Sequence, residues 1–138
     1  MFRNSIEITV EWGDCDPAGI VFYPNYFRWF NQAAHALFGA AGMPFHELIG
    51  KQGIAGVPML DTQANFKAPV RFGETMTLTS WVVEWRNKSF VVAHEVRKEG
   101  QLCAEGRDIR AWVVYDENAP NGIRAVSIPE EVKRRFRD

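Results

Sequence analysis

The segment that opens at Pro24, "PNYFRWFNQAAHALFGAAG", constrains the fold more than any other part of the chain. Its apolar residues recur at helical spacing. Tyr26, Phe30, Ala33, Ala34, Leu37 and Ala41 share one face, and Asn25, Arg28, Gln32 and His35 form a polar stripe. Phe27, Trp29 and Phe38 widen the apolar surface well past that of an ordinary surface helix, so this helix is expected to be enclosed on most sides. Pro24 suits the first helical position, where its missing N–H costs nothing. Gly39 and Gly42 with Pro44 end the pattern, and a short helical piece is expected over residues 45–51.

The material that encloses the helix lies on either side of it. Residues 5–12, "SIEITVEW", set Ile6, Ile8, Val10 and Trp12 against Ser5, Glu7, Thr9 and Glu11, the period of a half-buried strand. After Gly56 come four long strand segments, "VPMLDTQANFKAPV", "TMTLTSWVVEW", "SFVVAHEVRK" and "LCAEGRDIRAWVVYD". They are joined by "RFGE", "RNK" and "EGQ", links short enough to make successive strands antiparallel neighbours. Residues 129–137 read as a short terminal helix. The order strand, enclosed helix, run of antiparallel strands is an α+β layout, and one helix against a long curved sheet is its simplest packing. No repeat or linker interrupts it. At 138 residues, the chain 1–138 is expected to be a single domain.

Composition narrows the function classes. A net charge of −1 argues against bulk nucleic-acid binding. No stretch reaches the roughly 20 apolar residues that span a bilayer, so no membrane partner is expected. Cys15 and Cys103 are too few for a disulfide framework and read as free thiols in a reducing compartment, the cytoplasm by default. His35, His46 and His94 show no metal-ligand spacing with cysteines or acids, so no metal is expected. A phosphate-binding loop followed by Lys-Ser/Thr is absent.

The chemistry-bearing stretch is the turn before the helix, "EWGDCDPAGIVFYPNYF". With Pro24 at the first helical position, the amides of Tyr23, Asn25 and Tyr26 are expected at the helix start without intrahelical partners. There they suit an anion or a polarised carbonyl oxygen. An aspartate in the preceding loop is placed to attack, or to deprotonate water, beside that electrophile. Read as residues alone, Asp14 and Asp16 fit turn or capping roles equally well. Asp14, next to Gly13, is the better turn-former, and Asp16, followed by Pro17, is the better candidate for a free carboxylate. Cys15 is a poor nucleophile between two carboxylates, which raise a thiol's pKa.

"GDCDPAGIVFYPNYFRWF" closely resembles the signature of the 4-hydroxybenzoyl-CoA thioesterase family, which has the hotdog fold. "GIAGVPM", "EWRNKSF", "RDIRAW" and "RAVSIP" fall in the same order and spacing, so the resemblance covers nearly the whole chain. It implies a sheet wrapped round a central helix, and protomers paired as a dimer or a dimer of dimers with active sites at their interface. It implies that Asp16 is the catalytic carboxylate, as nucleophile or as general base on water. The Tyr23 backbone N–H would polarise the thioester carbonyl, and Gly19 would allow close approach of the substrate. No cofactor is implied, since coenzyme A belongs to the substrate.

The same resemblance assigns the rest of the site. Arg86 and Lys88, which would otherwise read as ordinary charges on a solvated turn, match positions that contact the coenzyme A phosphates. Asn87 stands where the family can be basic, and Arg124 matches a further basic position. In hydroxybenzoyl-specific members the region of Asn31 carries a carboxylate that accepts from the phenol. Asn31 is neutral, leaving Asp61 as a substitute carboxylate or simply a polar strand residue. Phe22, Trp29 and Phe30 either line an acyl pocket or pack the core. The function so implied is hydrolysis of a benzoyl- or hydroxybenzoyl-type CoA thioester. The alternatives are a short-chain aliphatic acyl-CoA or acyl-carrier-protein thioester, or a non-catalytic acyl-CoA binder.

Overall fold

A computed structural model describes residues 1–51 and 53–137. The helix that opens at Pro24, α1 (Pro24–Ala40), buries Tyr26, Trp29, Phe30, Ala33, Ala34, Leu37 and Phe38, an apolar surface spread round much of its circumference. It lies along a five-stranded antiparallel sheet built from β1 (Arg3–Thr9), β2 (Met59–Phe66), β3 (Thr75–Trp85), β4 (Ser89–Lys98) and β5 (Gln101–Ala111). The order across the sheet is β1-β3-β4-β5-β2. Two short strands, β6 (Val113–Tyr115) and β7 (Ile123–Ala125), pair beside it, and α2 (Phe45–Lys51) and α3 (Glu130–Arg134) close the far end of α1. The α+β layout, the short second helix and the terminal helix are as expected from the sequence.

The core divides along α1. Near its start, Tyr26, Trp29 and Phe30 pack with Val10, Val70, Met76, Leu78, Val96 and Ala104. Near its end, Leu37 and Phe38 pack with Phe90, Val92, Trp112, Val132 and Phe136. Phe30 is seated over Gly106 of β5, where a Cβ would stand 2.4 Å from Phe30 Cε2, so only glycine leaves room for that ring.

Three expectations are corrected. Trp12 does not continue the inward face of β1 but is 71% exposed, with its ring edge-on to Phe72 at 5.4 Å. The reason is local: Asp14 Oδ2 accepts the Glu11 N–H at 2.9 Å and turns residues 12–14 into a 3₁₀ turn, so the strand ends before Trp12. The "RFGE" link does not join neighbouring strands. β2 pairs with β5 at one edge, whereas β3 pairs with β1 and β4, because the link between them is drawn across the start of α1, with Val70 fully buried and its carbonyl accepting the Val21 N–H at 2.9 Å. Finally, the last predicted strand is two: β5 stops at Ala111, Trp112 turns into the core, and β6 leaves to pair with β7.

Candidate active site

The turn before α1 is a small hairpin. Cys15 bridges Val21, the Asp16 N–H donates to Ile20 O at 2.9 Å, and the Gly19 N–H donates to Asp16 O at 2.9 Å. Gly19 sits at φ +77° with no atom within 4 Å of a built Cβ. Its glycine is therefore a requirement of the left-handed turn position, not of close packing. The turn aims Asp16. Its Oδ1 accepts the Ala18 N–H at 2.8 Å, which fixes the carboxylate, and Oδ2 has no donor among the described residues. The two aspartates separate here, since Asp14 is used up in structure. Its side chain holds the Glu11 N–H and lies 3.4 Å from Arg28 Nη2, and its carbonyl accepts from the Phe22 N–H and from Asn25 Nδ2.

The helix start differs from expectation in one respect. The Asn25 N–H donates to Phe22 O at 3.0 Å and the Tyr26 N–H to Tyr23 O at 3.1 Å, so both are consumed in a tight first turn. Tyr23 itself is helical in backbone, and its N–H donates to no acceptor among the described residues. Asp16 and Tyr23 line one cleft of about 450 Å³, whose other walls include Tyr26, Phe66, Lys67 and Val70. Burial, with the Cys103 thiol beside it, pushes the Tyr26 phenol up to about 12, so it stays protonated and neutral on this wall. A mainly apolar cleft lined by a carboxylate and by a helix-start residue whose amide has no partner among the described residues can bind a carbonyl and deliver a nucleophile to it.

Other residues singled out from the sequence lie elsewhere in the protomer. Trp29 and Phe30 are core, and Phe22 is exposed, edge-on to Tyr23 outside the cleft. Asp61 is exposed on β2. Asn31 lines a second cleft of about 430 Å³ with His35, Phe45, Val57, Met59 and Arg110. Arg86 and Lys88 form the β3–β4 turn, and the Asn87 carbonyl within it accepts the Ile128 N–H. Arg86 pairs with Glu84 and Arg124 with Asp116, at 2.9 Å in the latter case, whereas Lys88 has no ion-pair partner among the described residues. The row Trp85–Phe90–Arg110–Met59 crosses the sheet at this end, and the row Leu78–Val96–Ala104–Phe66 crosses it at the Asp16 end.

Sequence reasoning missed one group of residues, a buried polar chain. Ser80 Oγ lies 2.7 Å from His94 Nδ1, and His94 Nε2 lies 2.9 Å from Asp108 Oδ2. Arg110 Nη2 donates to the same Asp108 oxygen at 3.2 Å, and Arg110 Nη1 to Asn31 Oδ1 at 3.1 Å. His94 stacks on Phe30 at 4.6 Å. Burial alone would raise the Asp108 carboxyl, but His94, Arg110 and Thr62 together hold it below its ordinary range. The signal was present: alternation along "AEGRDIR" puts Asp108 and Arg110 on the same face as Ala104 and Gly106, the face turned to α1.

Residues 10–136 match the thioesterase-like superfamily. The chain belongs to that family. It is 34% identical over 128 residues to the 4-hydroxybenzoyl-CoA thioesterase of Pseudomonas sp. (strain CBS-3), covering 88% of this chain and 89% of that one. The three-dimensional structure of that thioesterase superposes with a TM-score of 0.88 at 32% identity, covering 98% and 99% of the two chains. A gentisyl-coenzyme A thioesterase superposes with a TM-score of 0.82 at 33% identity, covering 98% and 100%. The fold is the hotdog fold, and the protein is an acyl-CoA thioesterase. No helix of the described residues is long and apolar enough to cross a membrane.

Proposed function

We propose that this thioesterase hydrolyses an aryl-CoA thioester of benzoyl type, with Asp16 as the catalytic carboxylate and the Tyr23 N–H as the polarising donor. The observation that carries the reading is that one cleft is lined by both Asp16 and Tyr23, whose Oδ2 and backbone N–H have no partners among the described residues. The thioester carbonyl oxygen accepts from the Tyr23 N–H, and charge developing on it is stabilised by the start of α1. Asp16 Oδ2 then either attacks the carbonyl carbon, giving an anhydride that water opens, or takes a proton from the water that attacks. Either way the C–S bond breaks and the coenzyme A thiolate leaves, a good leaving group that needs no metal or cofactor. Single turnover in ¹⁸O-water separates the routes: label in the Asp16 carboxylate marks the anhydride.

The site is completed by a second copy of the chain. β2 is an edge strand, exposed at every position except the half-buried Ala64, and it carries Leu60 and Phe66 largely bare. Such an edge is a template for pairing. Two copies pairing antiparallel along β2 about a two-fold axis bring the Phe66 end of one beside the Met59 end of the other. The Asp16 cleft, which includes Phe66, then meets the partner's Asn31 cleft, which includes Met59. The same pairing brings the partner's 86–88 turn and Arg124 to the Asp16 side, where Lys88, Arg86 and Arg124 would hold the coenzyme A phosphates. The two free thiols suit the cytoplasm as its setting. The test is free-thiol release from benzoyl-CoA, hydroxybenzoyl-CoA, phenylacetyl-CoA and butyryl-CoA. Fastest turnover is expected for the benzoyl pair. Asp16→Asn should slow it by at least ~10²-fold while leaving the fold intact; unchanged turnover in that variant ends the assignment.

A further inference from the structure

The Asn31 cleft has a polarity that its residue types alone do not reveal. Its walls are largely apolar, from Phe45, Ile49, Val57 and Val113, and its polar side chains are Asn31, Arg110, His35 and Tyr115. Arg110 is buried, its side chain only 3% exposed, and it is held by Asp108 at 3.2 Å. A guanidinium has donors only, so the Asn31 atom 3.1 Å from Arg110 Nη1 must be the carboxamide oxygen. That contact turns Oδ1 toward Arg110 and leaves the Nδ2 amino group, a pure donor, for the cleft. Arg110 Nε is also without a hydrogen-bond partner, the one such buried side-chain nitrogen or oxygen among the described residues. His35, on the same wall, is lowered by burial and by the Arg110 charge, so it adds no second cation near neutral pH.

We propose that Arg110 is a specificity-determining, positioning residue, which by locking the Asn31 carboxamide makes the cleft select an apolar acyl group whose far end accepts hydrogen bonds. The substrate class is thus an aryl thioester bearing an acceptor such as a ketone, ether or carboxylate at the end remote from the thioester. A purely donating substituent faces Nδ2 donor to donor and leaves a buried polar group unpaired. The inference rests on the reading of two clefts as one site.

The test is binding rather than turnover, so that ring substituents do not alter the result through the reactivity of the thioester. Asp16→Asn protein is titrated by calorimetry with benzoyl-CoA, 4-acetylbenzoyl-CoA and 4-aminobenzoyl-CoA. The acetyl compound is expected to bind about tenfold more tightly than the amino compound, the effect of one hydrogen bond made against one left unmade. Adding Asn31→Leu, at an exposed position, should bring that ratio close to one. Adding Asn31→Asp should reverse it, because one carboxylate oxygen stays on Arg110 and the other offers an acceptor. Arg110→Lys should also lose the ratio, since an ammonium lacks the fork that reaches Asp108 and Asn31 together. A general loosening of the fold would weaken all three ligands alike and leave the ratio intact. Tight binding of benzoyl-CoA with a ratio indifferent to Asn31→Leu overturns this inference alone. Failure to bind any of the three overturns the shared-cleft reading and this inference with it.

Discussion

Gly19 and Gly106 show two different reasons for a glycine, and they predict different costs. At Gly19 the backbone is left-handed and a Cβ would meet nothing, so Gly19→Ala should cost only the conformational penalty, about 1 kcal/mol. Because that turn aims Asp16, turnover should fall more than stability does, which kcat measured beside a urea melt will show. At Gly106 the backbone is ordinary, but a Cβ would meet three ring atoms of Phe30 within 2.9 Å. Gly106→Ala should therefore destabilise by about 1–3 kcal/mol, as overpacking does, with Tm lowered by several degrees. The reverse pattern, a large loss at Gly19 and none at Gly106, would contradict this account of both positions. Asp16 and Asp14 were separable by sequence only as turn-former and free carboxylate. The Ala18 and Glu11 amides that fix each one came from the folded turn.

At the scale of elements, β3, β4 and β5 are joined by the buried chain Ser80–His94–Asp108–Arg110, which reaches α1 through Asn31. The Asp108 carboxyl is held below its ordinary value of 3.8 in the fold. A depressed carboxyl contributes stability that is fully present above its unfolded value and is lost as pH falls through the folded one. The chain should therefore lose stability on acidification below about pH 4, through this group among others. Asp108→Asn leaves the Arg110 charge buried without its counter-charge and should cost about 3 kcal/mol at neutral pH. The gap between variant and parent should narrow as pH falls, because the parent then loses the same charge. Urea melts across pH measure this, and a gap that widens with acid would refute it. The helix and the strand segments were readable from period and punctuation, since those signals are local. The choice of β5 as partner of β2 was not, because it rests on pairings such as Thr62 with Asp108, 46 residues apart in the chain.

At the scale of the whole molecule, the two clefts lie at opposite ends of β2, with Phe66 in one and Met59 in the other, about 23 Å apart along the strand. A shared site then predicts complementation. Heterodimers of Asp16→Asn with Asn31→Leu, selected by two affinity tags, carry one doubly altered site and one intact site. With subsaturating 4-acetylbenzoyl-CoA, the acceptor-bearing substrate, they should show about half of the parent turnover per dimer, more than either variant paired with itself. A Leu60→Glu change on the bare edge of β2 should shift sedimentation toward the monomer and lower kcat/KM together. Full turnover by a species that sediments as a monomer would rule out the shared site.

The amino-acid sequence by itself determined the enclosed helix, the antiparallel strands, the two-aspartate turn and, through its signature, the family. Each of these is written in neighbouring residues or in a short period. Tertiary structure alone decided which helix-start amide has no partner among the described residues, because only the folded turn shows the Asn25 and Tyr26 amides already bonded. It also decided which way the Asn31 carboxamide faces, since its partner Arg110 is 79 residues away. Contacts of that separation have no local signal, and burial brings them together only once the sheet has closed over the helix.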